Sequence, residues 1–240
     1  MKKIAIIIIT YNRPADMLAL AKNITLLNST NDLLAEVIIV NNKSTESYQE
    51  LIEFIAVHPE IPFKYIEAPE NLGVSRGRNF AIQQSNTPVL VLIDDDAEFK
   101  DMDVLNRIQQ ALKNNPTAGI IAMKVLYKQN NTIQQTAFPH KSFEKRKALA
   151  EFETYYFAGC GNIILREAFD KAKKDYDNKM EKVKTKGLFA LKDEGLVDEN
   201  IWIAEDKTLW SEFKRAEELY KKANEKLSEK ELFLEEQAKN

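Results

Sequence analysis

The chain has 240 residues, 44% of them hydrophobic and 30% charged, enough to fill the core of one large domain or of one domain with an appendage. Its net charge is −3 with Lys and Glu interspersed, so no nucleic-acid-binding surface is expected. A single cysteine, Cys160, excludes an internal disulfide and a Cys-rich zinc site, and two histidines, His58 and His140, leave little room for a His-based one.

Lys2 and Lys3, followed by an apolar run over residues 4–9, imitate the start of a signal peptide. The run is too short for an h-region, and Thr10-Tyr11-Asn12-Arg13-Pro14 follows in place of a small-residue cleavage site. No stretch reaches the ~20 apolar residues of a membrane span, so a soluble, cytoplasmic protein without a transmembrane segment is expected. Residues 4–9 read instead as a buried strand. Helical spacing follows over 15–27, with Met17, Leu18, Ala21, Ile24 and Leu27 on one face. Further strands are expected over 37–40 and 63–66, from residue 89, and over 120–125. Further helices are expected over 48–57, through Ala81 and Ile82, and over 104–112. Strands that alternate with helices of this length form βαβ units and a mostly parallel sheet flanked by helices.

The stretch that organises the chain is VLVLIDDDAEF, residues 89–99. Apolar residues without alternation fit a strand covered on both faces, and they run directly into Asp94, Asp95 and Asp96. Three adjacent carboxylates repel unless a positive group offsets them. A solvated turn is one reading. The other is a hard divalent cation, Mn²⁺ or Mg²⁺, that takes one or two carboxylates and leaves positions for substrate phosphates. Three further polar loops also follow strands: residues 10–13, 41–46 and 71–79. Ligands of open α/β sheets bind outside the carboxyl ends of the strands, so the four loops converge on one rim.

The pieces TYNRP (10–14), VNNKSTE (40–46), NLGVSRGRN (71–79) and LIDDDAE (92–98), in this order, resemble those of the family-2 glycosyltransferases, which have the GT-A nucleotide-sugar transferase fold. The resemblance covers residues 1 to about 170 well. It implies that Thr10, Tyr11 and Arg13 line a nucleotide pocket, and that Asn41 stands where relatives carry an Asp that accepts a hydrogen bond from uracil. Asn adds a donor and brings no charge, which leaves the base open. Asn71, Gly73, Arg78 and Asn79 would approach the donor, with the Arg78 fork on the diphosphate. Asp94 and Asp96 frame the family's DxD motif, with Asp94 near ribose and metal, Asp96 as metal ligand and Asp95 in support. The resemblance implies a nucleoside-diphosphate sugar donor, UDP-linked, and a glycan, lipid-linked or protein acceptor. Transfer would invert the anomeric centre. The Gln-x-x-Arg-Trp signature of processive synthases is absent, so one transfer per encounter is expected.

Weaker likeness, at GLVDENIWIAEDKTLW over 195–210, puts the catalytic base at Asp206 with Glu205 beside it. Two departures accompany it: a Lys- and Glu-rich stretch intervenes after residue 172, and no Arg follows the acidic pair in the expected place. A Glu-Asp pair opening a helix is also what the helix dipole favours. These departures keep a second reading alongside the first: a nucleotide-sugar-binding module with lost or altered activity. Metal-dependent phosphoester transfer accounts for the carboxylates but not for TYNRP or NLGVSRGRN. The expected organisation is a catalytic core over 1–171, an insertion and acceptor-side segment over 172–206, and an amphipathic helical extension over 207–240. The extension's apolar stripe (Leu209, Trp210, Phe213, then Leu227, Leu232, Phe233, Leu234) is expected to pack on the core first and to self-associate or meet another protein later. Cys160 reads as a small buried residue. Gly159 and Gly161 beside it permit close approach to a ligand or mark a bulge.

Overall fold

The structure, a computed structural model, describes residues 3–154 and 157–186. The chain alternates as expected: strand β1 (Ile4–Thr10), helices α1 (Pro14–Thr25) and α2 (Thr30–Leu33), β2 (Leu34–Asn41), α3 (Gln49–Ala56), β3 (Phe63–Glu67), α4 (Gly73–Gln83), β4 (Val89–Leu92), α5 (Val104–Asn114), β5 (Ile120–Ala122), α6 (Phe143–Arg146), β6 (Asn162–Leu165) and α7 (Arg166–Lys186). Pro14 opens α1, where its fixed φ suits the first helical turn and its missing N–H costs nothing.

The six strands form one sheet in the order β3-β2-β1-β4-β6-β5. The pairs β1–β2, β1–β4 and β2–β3 are parallel, while β6 runs antiparallel to both β4 and β5. The sheet is therefore mixed but mostly parallel. The chain winds outward from β1 through β2 to β3, then crosses to the other side of β1 for β4. The order thus reverses between β1 and β4, and the loops leaving those two strands border the crevice that such a reversal opens.

The uninterrupted apolar strands are explained by burial on both faces. On one face Ile4, Ile6, Ile8, Val37, Ile39, Val89 and Val91 pack with Met17, Leu20 and Ile24 of α1, Leu51 of α3, and Leu105 and Ile108 of α5. On the other, Ala5, Ile7, Ile38, Val40, Leu90 and Leu92 pack with Ala81 and Ile82 of α4. Truncating one of these isoleucines to Ala would cost about 2–5 kcal/mol. The core thus grips every strand that leads to the rim.

β5 ends at Ala122, three residues short of the expected strand. Gly161, with φ of +72°, precedes the opposing strand in a left-handed conformation, and the ladder stops at the Ala122–Asn162 pair. α7 runs through the expected boundary at residue 171 to Lys186. The rest of the expected insertion and the expected C-terminal helix lie outside the described residues, as do Glu205 and Asp206. No described helix is long and apolar enough to cross a membrane.

Candidate functional site

Register places the four loops together. Thr10 pairs with Asn41 and Asn41 with Glu67, while Leu92 ends β4 opposite Asn162, so the loops after β1, β2, β3 and β4 all leave the same rim. Each loop is then tied to its neighbour by side chains. Asn12, at φ 54°, accepts the backbone N–H of Thr45 at 2.8 Å and of Glu46 at 3.3 Å, and its own N–H donates to Ser44 Oγ at 2.9 Å. Asn42 accepts Leu72 N–H at 2.9 Å and donates to Asn71 Oδ1 at 3.1 Å and to the Gly73 carbonyl at 3.2 Å. Asn71 Oδ1 also accepts Gly73 N–H at 2.9 Å, across the positive φ (+69°) that makes Gly the favoured residue at 73.

The three aspartates divide into two kinds. Asp95 is 7% exposed and turns inward. Burial pushes its carboxyl above the ordinary Asp range, a hydrogen bond from Thr10 and the charge of Arg13 pull it down, and Asp96 and Asp94 push it up again. Asp94 and Asp96 keep exposed carboxylate surface, and each already has an arginine. Arg13 Nη1 lies 2.5 Å from Asp96 Oδ2 and 3.5 Å from Asp95 Oδ1. Arg78 Nη2, projecting from α4, donates to Asp94 Oδ1 at 2.6 Å. A Cβ built on Gly159 would stand 2.5 Å from Arg78 Nη1, so the guanidinium fills the space that a side chain at 159 would need.

Of the expected nucleotide-pocket residues, Thr10 is buried, Tyr11 is 45% exposed, and Arg13 holds the carboxylates. Asn41 is buried with both ends of its amide engaged: Oδ1 accepts Ser44 N–H at 2.9 Å and Nδ2 donates to Tyr65 Oη at 2.8 Å. Asn71 and Gly73 shape the loop entering α4. Asn79 is exposed on α4, about 100° round the helix from Arg78, and is not brought to the carboxylates. Two participants had no signal of their own in the sequence. Tyr48, at the start of α3, places its hydroxyl 2.7 Å from Thr10 Oγ1 and accepts Arg13 N–H at 3.0 Å. Cys160 lies against Asp94, and burial together with that carboxylate pushes its thiol up to about 11.

Among the described residues no three His, Cys, Asp or Glu side chains converge on one point. Asp94 and Asp96, at one strand end, are the two carboxylates with exposed surface that could hold a cation there. That set fits Mg²⁺ or Mn²⁺, whose remaining positions substrate phosphates would fill, and does not fit an all-protein cage. Separately, a cavity of about 730 Å³ lies along β5, lined by Met123, Val125, Phe138, Phe152 and Phe157 among others, and none of the rim residues named above contributes to it.

A mixed, mostly parallel sheet of six strands flanked by helices is a fold of the GT-A kind. Over residues 5–172 the chain matches Glycosyl transferase family 2, and it belongs to that family. It is similar to an uncharacterized protein of Haemophilus influenzae, 28% identical over 174 residues that cover 70% of this chain and 90% of that one. It is also similar to the uncharacterized glycosyltransferase YwdF of Bacillus subtilis, 32% identical over 97 residues, 40% of this chain and 34% of YwdF. Among solved structures it is similar to the mannosyltransferase PcManGT of Pyrobaculum calidifontis in complex with GDP-Man and Mn²⁺, at 24% identity and a TM-score of 0.49, covering 54% of this chain and 37% of that one. The chain thus spans little more than a third of YwdF and of the mannosyltransferase.

Proposed function

We propose that the protein transfers a sugar from a nucleoside-diphosphate sugar, UDP-linked, to an acceptor hydroxyl on a glycan, lipid-linked or protein acceptor, with Mn²⁺ or Mg²⁺, inverting the anomeric centre and making one transfer per encounter. The observation that carries the reading is the arrangement at the end of β4: two exposed carboxylates beside two arginines, on the rim where the strand order reverses. A divalent cation there would be held by Asp94 and Asp96 and would supply charge neutralisation for the departing diphosphate. Arg78 presents a planar fork to phosphate oxygens. Thr10, Tyr11 and Arg13 border the nucleotide, and Asn41 marks its base end. Asp206 takes the proton of the acceptor hydroxyl as that oxygen bonds to the anomeric carbon and the bond to the diphosphate breaks on the opposite face. Glu205, its neighbour in sequence, has a supporting role.

The family match ends at residue 172, upstream of Glu205 and Asp206. That favours, as a second reading, a module of the same fold that binds a nucleotide sugar without turning it over. A thermal-shift panel of nucleotides and nucleotide sugars with Mn²⁺, followed by a transfer and hydrolysis assay on the best ligand, separates the two. A ligand at 100 times its Kd stabilises by about 2.7 kcal/mol. Stabilisation with sugar release supports the enzyme, and stabilisation without release supports the binding module. A panel without any shift overturns both.

A further inference from the structure

We infer that Arg13 and Arg78 are resident counter-ions that hold the bare carboxylates against a free cation, so that the site accepts a divalent cation and a diphosphate together. The inference rests on reading Asp94–Asp96 as the metal–diphosphate site and concerns how that site fills. All three carboxylates are already matched: Arg13 reaches Asp96 and Asp95, and Arg78 reaches Asp94, so the five groups leave a single net negative charge. A cation entering alone has to displace two charge-assisted contacts and strand two guanidinium groups beside it. A diphosphate removes that obstacle. Its oxygens give both forks new partners of the same geometry, and the oxygens of Asp94 and Asp96 become free for the cation.

The backbones of both arginines are fixed, and only their guanidinium groups meet the carboxylates. The N–H of Arg13 is bonded to Tyr48 Oη, yet its side chain is 49% exposed. Arg78 stands on α4, the helix whose entry loop Asn42 ties down, and only its guanidinium occupies the gap left by Gly159. A swing of the terminal groups therefore exchanges carboxylate for phosphate without moving an element. By linkage, each ligand raises the affinity of the other by one common factor, and couplings of this kind span about 5- to 150-fold.

The test is Mn²⁺ binding to the full chain, read by the spin-resonance signal of free Mn²⁺, with and without UDP or GDP and against protein-free titrations. The wild type should bind Mn²⁺ weakly alone, and at least fivefold more tightly with the accepted nucleotide. Arg78→Ala and Arg13→Ala should each bind Mn²⁺ alone more tightly than the wild type while binding nucleotide more weakly. Gly159→Ala, which displaces the Arg78 guanidinium without changing net charge, should do the same to Mn²⁺. Arg76→Ala serves as the control, since Arg76 sits on the same helix but bonds Glu70 and the Leu72 carbonyl. If Arg76→Ala raises Mn²⁺ affinity as much as Arg78→Ala, the effect is general charge and the inference falls. It also falls if nucleotide-dependent Mn²⁺ binding is present but the arginine and Gly159 variants leave Mn²⁺-alone affinity unchanged. If no protein binds Mn²⁺ with either nucleotide, the reading of the site falls with it.

Discussion

Tyr48 and Thr10, from the start of α3 and the end of β1, meet through their hydroxyls at 2.7 Å. Tyr48 also accepts the N–H of Arg13, so the contact links the segment that carries Arg13 to the end of β1. Tyr48→Phe keeps the ring in the core but leaves Arg13 N–H without its acceptor, which should cost about 1–3 kcal/mol in urea unfolding. UDP affinity should fall as well, because the segment carrying Arg13 loses its anchor.

Removal of the cation tests the exposed pair. If Asp94 and Asp96 hold a metal that bridges to the diphosphate, chelation by EDTA should sharply weaken UDP binding in calorimetry. Asp96→Ala should lose that metal-dependent part while its unfolding midpoint stays near that of the wild type, since the side chain is more than half exposed. UDP binding indifferent to both would refute a bridging metal.

Stability should depend on pH through a residue at the opposite end of the sheet. Glu36 is 7% exposed on β2. Burial pushes its carboxyl up, but hydrogen bonds from Lys64, Ser85 and Thr87, with the charge of Lys64, outweigh burial and leave it below the ordinary Glu range. A folded value below the unfolded one, about 4.3, adds stability above that pH and loses it as pH falls through the folded value. Denaturant titrations from about pH 6 to about pH 3 should show this loss, and Glu36→Gln should lack part of it.

The base assignment is tested by Asp206→Asn, which keeps size and hydrogen bonding but cannot accept the proton. Turnover should fall by about 10² to 10⁴ with donor affinity near wild type. Glu205→Gln should be milder. A wild-type rate in Asp206→Asn would move the search to Asp198 and Glu199.

If residues 207–240 form the expected amphipathic helix, its apolar stripe has to be covered. Deleting residues 225–240 should lower the mass seen by light scattering if that part joins two copies. A monomer before and after the deletion would remove self-association from the account.

Much of this was legible in the residues, because each legible part follows from local chemistry. Runs such as IAIIII and VLVL fit strands buried on both faces, and polar loops after parallel strands share a rim. What escaped depends on partners distant in sequence. The four residues of β6 follow a Gly-rich stretch, and nothing in NIIL says that it runs backwards against β4. The charge count at residues 94–96 suggested a cation, yet the groups that meet the aspartates are Arg13 and Arg78, 83 and 16 positions away. Tyr48 gave an apolar ring at helical spacing, and only the folded chain reveals what its hydroxyl touches. Asn41 and Asn42 read alike in sequence, but one bonds within its own loop and to Tyr65 while the other ties down the entry to α4.

The backward course of β6 has an architectural consequence. β5 ends, and β6 begins, at the same paired position, Ala122 opposite Asn162, beside the carboxylate strand. Everything from residue 123 to residue 161 therefore departs from and returns to a single point on the sheet. Such an excursion is a cassette: between residues 123 and 158 it can be lengthened or shortened without shifting β1, β2 or β4, while Gly159 and Cys160, which meet Arg78 and Asp94, belong to the site. Chimeras that exchange residues 123–158 should keep the host's nucleotide affinity, and those that also replace Gly159 by a larger residue should lose part of it.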